Sequence, residues 1–217
     1  MEFLPSYVYA IFICFLASLT LYRQLRPEHR FLRMFPPFFL LTLAVELYGN
    51  YLSMTGKPNV VIYNIFSSFE ICFYLIFLSL VIVHPVNKRV IYWVTALFAL
   101  FAFVNIRFIQ GANNFHTISF SIGSLLTVIF CINYFLQLFR LPKSEDLKRN
   151  PVFWLVSGIL FFYCTGFPLY GLMNYWKEIA PFLLSNIVDI NFVINTLTYL
   201  IFTIAFLWIR TRKYSSS

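Results

Sequence analysis

Charge is what this 217-residue chain has least of: Asp, Glu, Lys and Arg make up 11% of it, and only eight residues are acidic. A soluble domain devotes about a quarter of its residues to these four types. A chain that is 60% hydrophobic and 21% aromatic cannot cover its own core with polar surface in water. Glycine is also scarce, and no Gly/Ser-rich linker, low-complexity tract or internal repeat divides the chain. A single domain over 1–217 is therefore expected, without the inverted-repeat signature of many transporters. There is no GxSxG elbow, no HExxH pair and no phosphate-cradling glycine loop, so serine hydrolysis, zinc hydrolysis and nucleotide binding have no support. The last apolar segment has no central lysine to carry a retinal Schiff base. Cys14, Cys72, Cys131 and Cys164 fall in separate apolar segments without CxxC spacing and read as packing residues.

What the chain does have is long apolar runs. Seven can be drawn: Phe3 to Tyr22, Phe35 to Ser53, Val60 to Val83, Val90 to Ile109, Thr117 to Leu138, Val152 to Leu172 and Phe182 to Ile209. At about 1.5 Å per residue, runs of roughly 20 residues match a hydrocarbon core of about 30 Å. They are continuous rather than alternating, which excludes the strands of a membrane β-barrel. The expected fold is all-α: a polytopic transmembrane bundle of seven helices, multi-pass in a cell membrane.

Basic residues are distributed asymmetrically. Thirteen of the sixteen (Arg23, Arg26, Arg30, Arg33, Lys88, Arg89, Arg140, Lys143, Lys148, Arg149, Arg210, Arg212 and Lys213) follow segments one, three, five and seven. Only Lys57, Arg107 and Lys177 lie toward the other side. The positive-inside rule then places the N-terminus outside and the C-terminus in the cytoplasm. Trp93, Trp154 and Trp208 near the basic ends, and Trp176 in the last outer loop, read as interfacial anchors. The net charge of +8 is accounted for by this orientation signal and by contact with the lipid bilayer, not by nucleic acid, for which no basic groove or soluble domain exists. The first segment lacks a basic n-region and reads as a retained helix. Pro168 beside Gly166 is expected to bend the sixth segment.

Three acidic residues fall inside the apolar runs: Glu46, Glu70 and Asp189. A carboxylate at the centre of a membrane helix costs roughly 2.5–3.5 kcal/mol on insertion scales, so such groups face the bundle interior. Glu46 and Asn50 are i, i+4 neighbours, and Tyr63, Ser67, Glu70 and Tyr74 form one helical stripe. On the seventh segment, Asp189 shares a side with Ser185 and Thr196, while Asn191, Asn195 and Thr198 share another, which predicts a helix surrounded by protein. A polar pocket in the outer half of the bundle is expected, lined by Glu46, Asn50, Tyr63, Asn64, Ser67, Glu70 and Asp189. Amides such as Asn64, Asn133, Asn186 and Asn195 have a second use as interhelical hydrogen-bonding groups. Arg107 either pairs with a carboxylate or snorkels to headgroups, and His116 reads as an interfacial residue; a metal site and a cofactor are not expected.

Three functions fit a pocket of this kind. A receptor-like bundle would bind a small molecule and, given a tail of only nine residues after Trp208, signal through a separate cytoplasmic or membrane partner. A transporter, perhaps proton-coupled, would cycle Glu70 or Asp189 between charged and neutral forms. A lipid-headgroup enzyme would use a carboxylate pair as acid and base. The stretches "ELYGNYL", "VIYNIFSSFEICFYLIF" and "NFVINTLTYLIFTIAFLWIRTRK" resemble small bacterial seven-helix integral membrane proteins, loosely similar to the membrane sensor modules of histidine kinases. That resemblance implies a sensor-like bundle working with a separate partner and, in a Gram-negative source, an inner-membrane location.

Overall fold

The computed structural model describes residues 5–24, 27–140, 147, 150–171, 173 and 181–211. Seven helices account for most of them: α1 Ser6–Ser18, α2 Phe35–Met54, α3 Val60–Val81, α4 Pro85–Val104, α5 Thr117–Arg140, α6 Pro151–Gly171 and α7 Pro181–Thr211. No strand occurs among the described residues. Six helical stretches are long and apolar enough to cross a membrane. Arg26, Lys143, Lys148, Arg149, Lys177, Arg212, Lys213 and Trp176, on which part of the charge and anchor pattern rests, lie outside the described residues.

The helix starts follow from proline. Pro85, Pro151 and Pro181 each open a helix, and Pro36 and Pro37 lie in the first turn of α2. At these positions the missing N–H has no intrahelical partner to lose. Asn150 caps α6, its Oδ1 accepting from the Val152 N–H at 2.9 Å. The first segment departs from the sequence expectation. It is not one helix: α1 has 13 residues, about 20 Å of rise, and is followed by a separate turn, Leu21–Gln24. The break follows from local hydroxyl bonding: Ser18 Oγ donates to the Phe15 carbonyl at 2.6 Å and Thr20 Oγ1 to that of Ala17 at 2.7 Å. These side chains compete with the backbone donors that would continue the helix. A 3₁₀ stretch, Pro27–Met34, leads into α2.

Six helices close a ring in the order α1, α2, α3, α5, α6, α7, with α7 returning to α1. The remaining helix, α4, packs on the outside against α3 and α5. Accordingly it buries one stripe, Ile91, Thr95, Phe98 and Ala102, and exposes Trp93, Leu97, Leu100 and Phe103. The outer surfaces of the other helices are also apolar, with Leu40, Ile65, Ile129 and Val193 exposed. An all-helical bundle with an apolar exterior is the arrangement lipid demands, because every helical backbone bond is satisfied internally.

Lipid tails are as apolar as leucine, so packing between such helices relies on close contact and hydrogen bonds. One half of the ring is filled by aromatic rings. Phe35, Phe39, Phe77, Phe202 and Phe206 are fully buried. Phe38 stacks on Phe73 at 3.9 Å, and Phe35 meets Phe77 edge-on at 5.0 Å. Close approach of α6 to α7 depends on Gly158, whose absent Cβ would lie 2.6 Å from the Phe202 ring. All four cysteines are free; Cys14 and Cys131 are fully buried as packing residues would be, Cys72 is half-buried, and Cys164 is exposed and does not pack in the interior.

Candidate functional site

The other half of the ring is not filled. At the end that carries the N-terminus, the α2–α3 turn and the α5 start, the helices enclose a cavity of about 290 Å³. Pockets for small ligands typically begin near this size. Every ring helix contributes to the lining: Tyr7 from α1, Glu46 from α2, Tyr63, Ser67 and Glu70 from α3, Phe120 from α5, Tyr170 from α6, and Asn191, Asn195 and Tyr199 from α7. Among the described residues that line it there is no lysine, arginine or histidine.

Glu46 is held by two tyrosines from different helices. Its Oε2 accepts the Tyr7 hydroxyl at 2.9 Å and the Tyr63 hydroxyl at 3.1 Å, bonds that are strengthened when the acceptor is ionised. Tyr63 reaches it across the α2–α3 contact only because residue 49 is glycine. A Cβ there would sit 2.4 Å from the Tyr63 hydroxyl oxygen and 2.7 Å from the ring carbon that bears it. Asn59 clamps the same contact, its Nδ2 donating to the Gly49 carbonyl at 3.3 Å. Thus "ELYGNYL" encodes a carboxylate together with the gap that admits its partner. Glu70 lies one helix away, buried in the α3 wall next to the Tyr74 hydroxyl.

A second layer of polar groups fixes the wall. Asn64 donates to the carbonyls of Ala112 at 3.2 Å and Asn114 at 2.7 Å, and accepts the His116 N–H at 3.2 Å. It therefore ties α3 to the connection that places Phe115 against the cavity, and its amide is spent there instead of facing a ligand. His116 is fully buried, not interfacial. Its Nε2 lies 2.7 Å from Ser67 Oγ and its Nδ1 2.6 Å from Ser119 Oγ. Ser67 gives its own proton to the Tyr63 carbonyl, and Ser119 accepts from Asn105 Nδ2 at 2.9 Å. The consistent assignment is a neutral ring with Nε2–H donating to Ser67 and Nδ1 accepting from Ser119. Burial pushes the imidazole down to about 4, which agrees with a neutral ring.

The expected pocket residues are thus only partly brought together. Glu46, Tyr63, Ser67 and Glu70 line the cavity, whereas Asn50 does not, and its buried Nδ2 has no hydrogen-bond partner. Asp189 is exposed, on the outward stripe of α7 with Val193, Leu197, Leu200 and Ile204. The helix is one wall of the ring and not its centre. Its inward face carries Asn191, Asn195 and Tyr199. Asp189 stands eight residues into α7, about 12 Å along the helix. Arg107 is exposed, outside the cavity. The missed contributors, Tyr7, Asn191, Asn195 and Tyr170, sit on helices whose inward face cannot be chosen from one sequence. The one available signal was the Asn191–Asn195 spacing. In the structure Tyr170 donates to Asn191 Oδ1, and so does Asn195 Nδ2.

A wider cleft of about 560 Å³ opens at the opposite end between α3, α4 and α5. Its amides are used internally: Gln137 Oε1 accepts the Val83 N–H at 3.0 Å, and Asn87 donates to Asn133 at 3.2 Å. Among the described residues no group of three or more His, Cys, Asp or Glu is placed to hold a metal ion. No protein family, curated protein or solved structure matches this chain.

Proposed function

We propose that this is a receptor-like membrane protein that binds a small molecule in the Glu46–Glu70 cavity, on the extracytoplasmic side, and signals through a separate partner at its basic end. The observation that carries this reading is the contrast between the two halves of the ring. One half holds a roomy chamber with two carboxylates, and the other is closed by Phe35, Phe77, Phe202 and Phe206, all fully buried. A blind chamber suits ligand sensing better than passage. The sidedness rests on the positive-inside rule, since thirteen of sixteen basic residues follow segments one, three, five and seven in the sequence, and the described ones among them, such as Arg33, Lys88, Arg89 and Arg140, lie toward the aromatic-filled end. The weak resemblance to kinase sensor modules points the same way.

The test is thermal stabilisation of the purified protein by a small-molecule set spanning cations, neutral compounds and anions, compared between wild type and Val60→Trp. Val60 borders the cavity at the first turn of α3, and an indole there narrows the chamber while leaving every polar side chain of the lining in the sequence. A saturable stabilisation present in wild type and lost in Val60→Trp is the expected result. Equal stabilisation of both proteins, or none from any class, overturns the reading. Uptake of a binding compound into proteoliposomes would replace the receptor by a transporter.

A further inference from the structure

Hydrogen-bond direction inside the cavity identifies what it takes. Most of the donors are spent on the protein, the Tyr199 hydroxyl and Asn191 Nδ2 being the exceptions among the described lining residues. Tyr7 and Tyr63 direct their hydroxyl protons to Glu46 Oε2, Ser67 to the Tyr63 carbonyl, and Tyr170 to Asn191 Oδ1. The amides follow the same pattern, with Asn59 Nδ2 donating to Gly49 and Asn195 Nδ2 to Asn191. Acceptors are left over. Both bonds to Glu46 converge on one oxygen, so among the described residues Oε1 has no donor. The Glu70 carboxylate and the carbonyl oxygens of Asn59 and Asn195 add further acceptors around the same space.

Charge and shape narrow the class. Two carboxylates border the chamber, and no described lining residue is cationic, so each is either protonated or offset by a positive charge from outside the lining. A bare metal ion is a poor fit, because hard cations require six or more converging oxygens and much of this wall is ring carbon. Phe66, Phe115, Phe120 and Phe162 line the chamber together with the four tyrosines. Aromatic faces next to carboxylates favour a cation with an apolar body.

We infer that the ligand is a small organic amine, bound as its primary ammonium ion, with the N–H donors on Glu46 Oε1 and Glu70 and the carbon body against the phenylalanine rings. This rests on the cavity being a ligand site, as proposed above. The aromatic walls also accommodate a quaternary ammonium, but the unspent acceptors favour a cation that donates.

The experiment uses full-length protein in nanodiscs at pH 7 and a series matched in shape but not in charge: phenethylamine and 1,5-diaminopentane, their neutral counterparts 2-phenylethanol and 1,5-pentanediol, the anion 3-phenylpropionate, and choline. Saturable binding is read by calorimetry and by thermal shift. The amines are expected to bind while their neutral and anionic counterparts do not. Glu70→Gln, which keeps shape and folding, is expected to weaken amine binding by about thirtyfold or more, as loss of one member of a buried charge pair does. Binding of the alcohols or the anion, sensitive to Val60→Trp, overturns the amine assignment and leaves the cavity reading standing. Tighter binding of choline than of either primary amine overturns the N–H donor argument. Amine binding unchanged in both Glu46→Gln and Glu70→Gln overturns the assignment of the ammonium to the carboxylates. No binding by any member overturns the assignment, and the broader set tested against Val60→Trp then decides the cavity itself.

Discussion

Gly49 is the position where the packing argument is easiest to break. In a helix free of neighbours, Gly→Ala is stabilising by about 1 kcal/mol, because alanine loses less conformational freedom on folding. Here the added Cβ would lie 2.4 Å from the Tyr63 hydroxyl oxygen and 2.7 Å from Cζ. Tyr63 must swing away, and its 3.1 Å bond to Glu46 goes with it. Loss of a hydrogen bond to a charged group costs about 1.5–3 kcal/mol, and overpacking adds about 1–3 kcal/mol. Offset by the propensity gain, the net expectation for Gly49→Ala is a destabilisation of about 1.5–5 kcal/mol. The assay is equilibrium unfolding in mixed micelles, run as a double-mutant cycle with Tyr63→Phe. Because the bond is already lost in Gly49→Ala, removing the hydroxyl as well should cost little more, giving a coupling of at least about 1 kcal/mol. If Gly49→Ala raises stability, or if the two changes add within about 0.5 kcal/mol, the close approach of Tyr63 to α2 is not what holds Glu46.

Asn64→Ala removes three hydrogen bonds to the 112–116 backbone and should cost about 2–4 kcal/mol. Hydrogen exchange should quicken in that connection; unchanged protection there would remove Asn64 as its anchor. His116 is about 4 in the fold against an ordinary value near 6.5, so between these values the unfolded chain binds the extra proton. Stability should therefore be level above about pH 6.5 and fall as the pH drops toward 4, by at most about 1.4 kcal/mol per pH unit. His116→Gln should flatten that slope, and a slope that persists in the variant assigns it to another group. Asp189→Asn is expected to change stability by less than about 0.5 kcal/mol, as at other exposed sites. Glu70→Gln should leave stability unchanged or raise it, since no described lining cation is lost with the charge. A loss of several kcal/mol in Glu70→Gln would make the carboxylate a structural partner.

Much of the fold was legible before any coordinates, for reasons particular to membranes. Lipid permits few backbone arrangements, so apolar length alone predicts helices, and six of the seven segments were placed within a few residues. The exception is α1, where Ser18 and Thr20 turn their hydroxyls onto the backbone and end the helix early, a competition that composition does not reveal.

The site was legible in part. "ELYGNYL" and the Tyr63–Ser67–Glu70 stripe reach the cavity because each is anchored by its own polar periodicity. Asp189 does not, because hydropathy records the cost of a carboxylate in a helix but not which face that helix turns to its neighbours. Two polar faces on α7 were visible in the sequence, and only the ring closure of α7 between α1 and α6 decides that Asn191 and Asn195 turn inward. The same holds for Asn64, whose amide is taken by a loop some fifty residues away, and for Tyr7, brought to Glu46 from the first turn of another helix. Periodicity along one helix determined which residues share a face. Which face meets the cavity depended on contacts between helices distant in the chain, and those exist only once the bundle has closed.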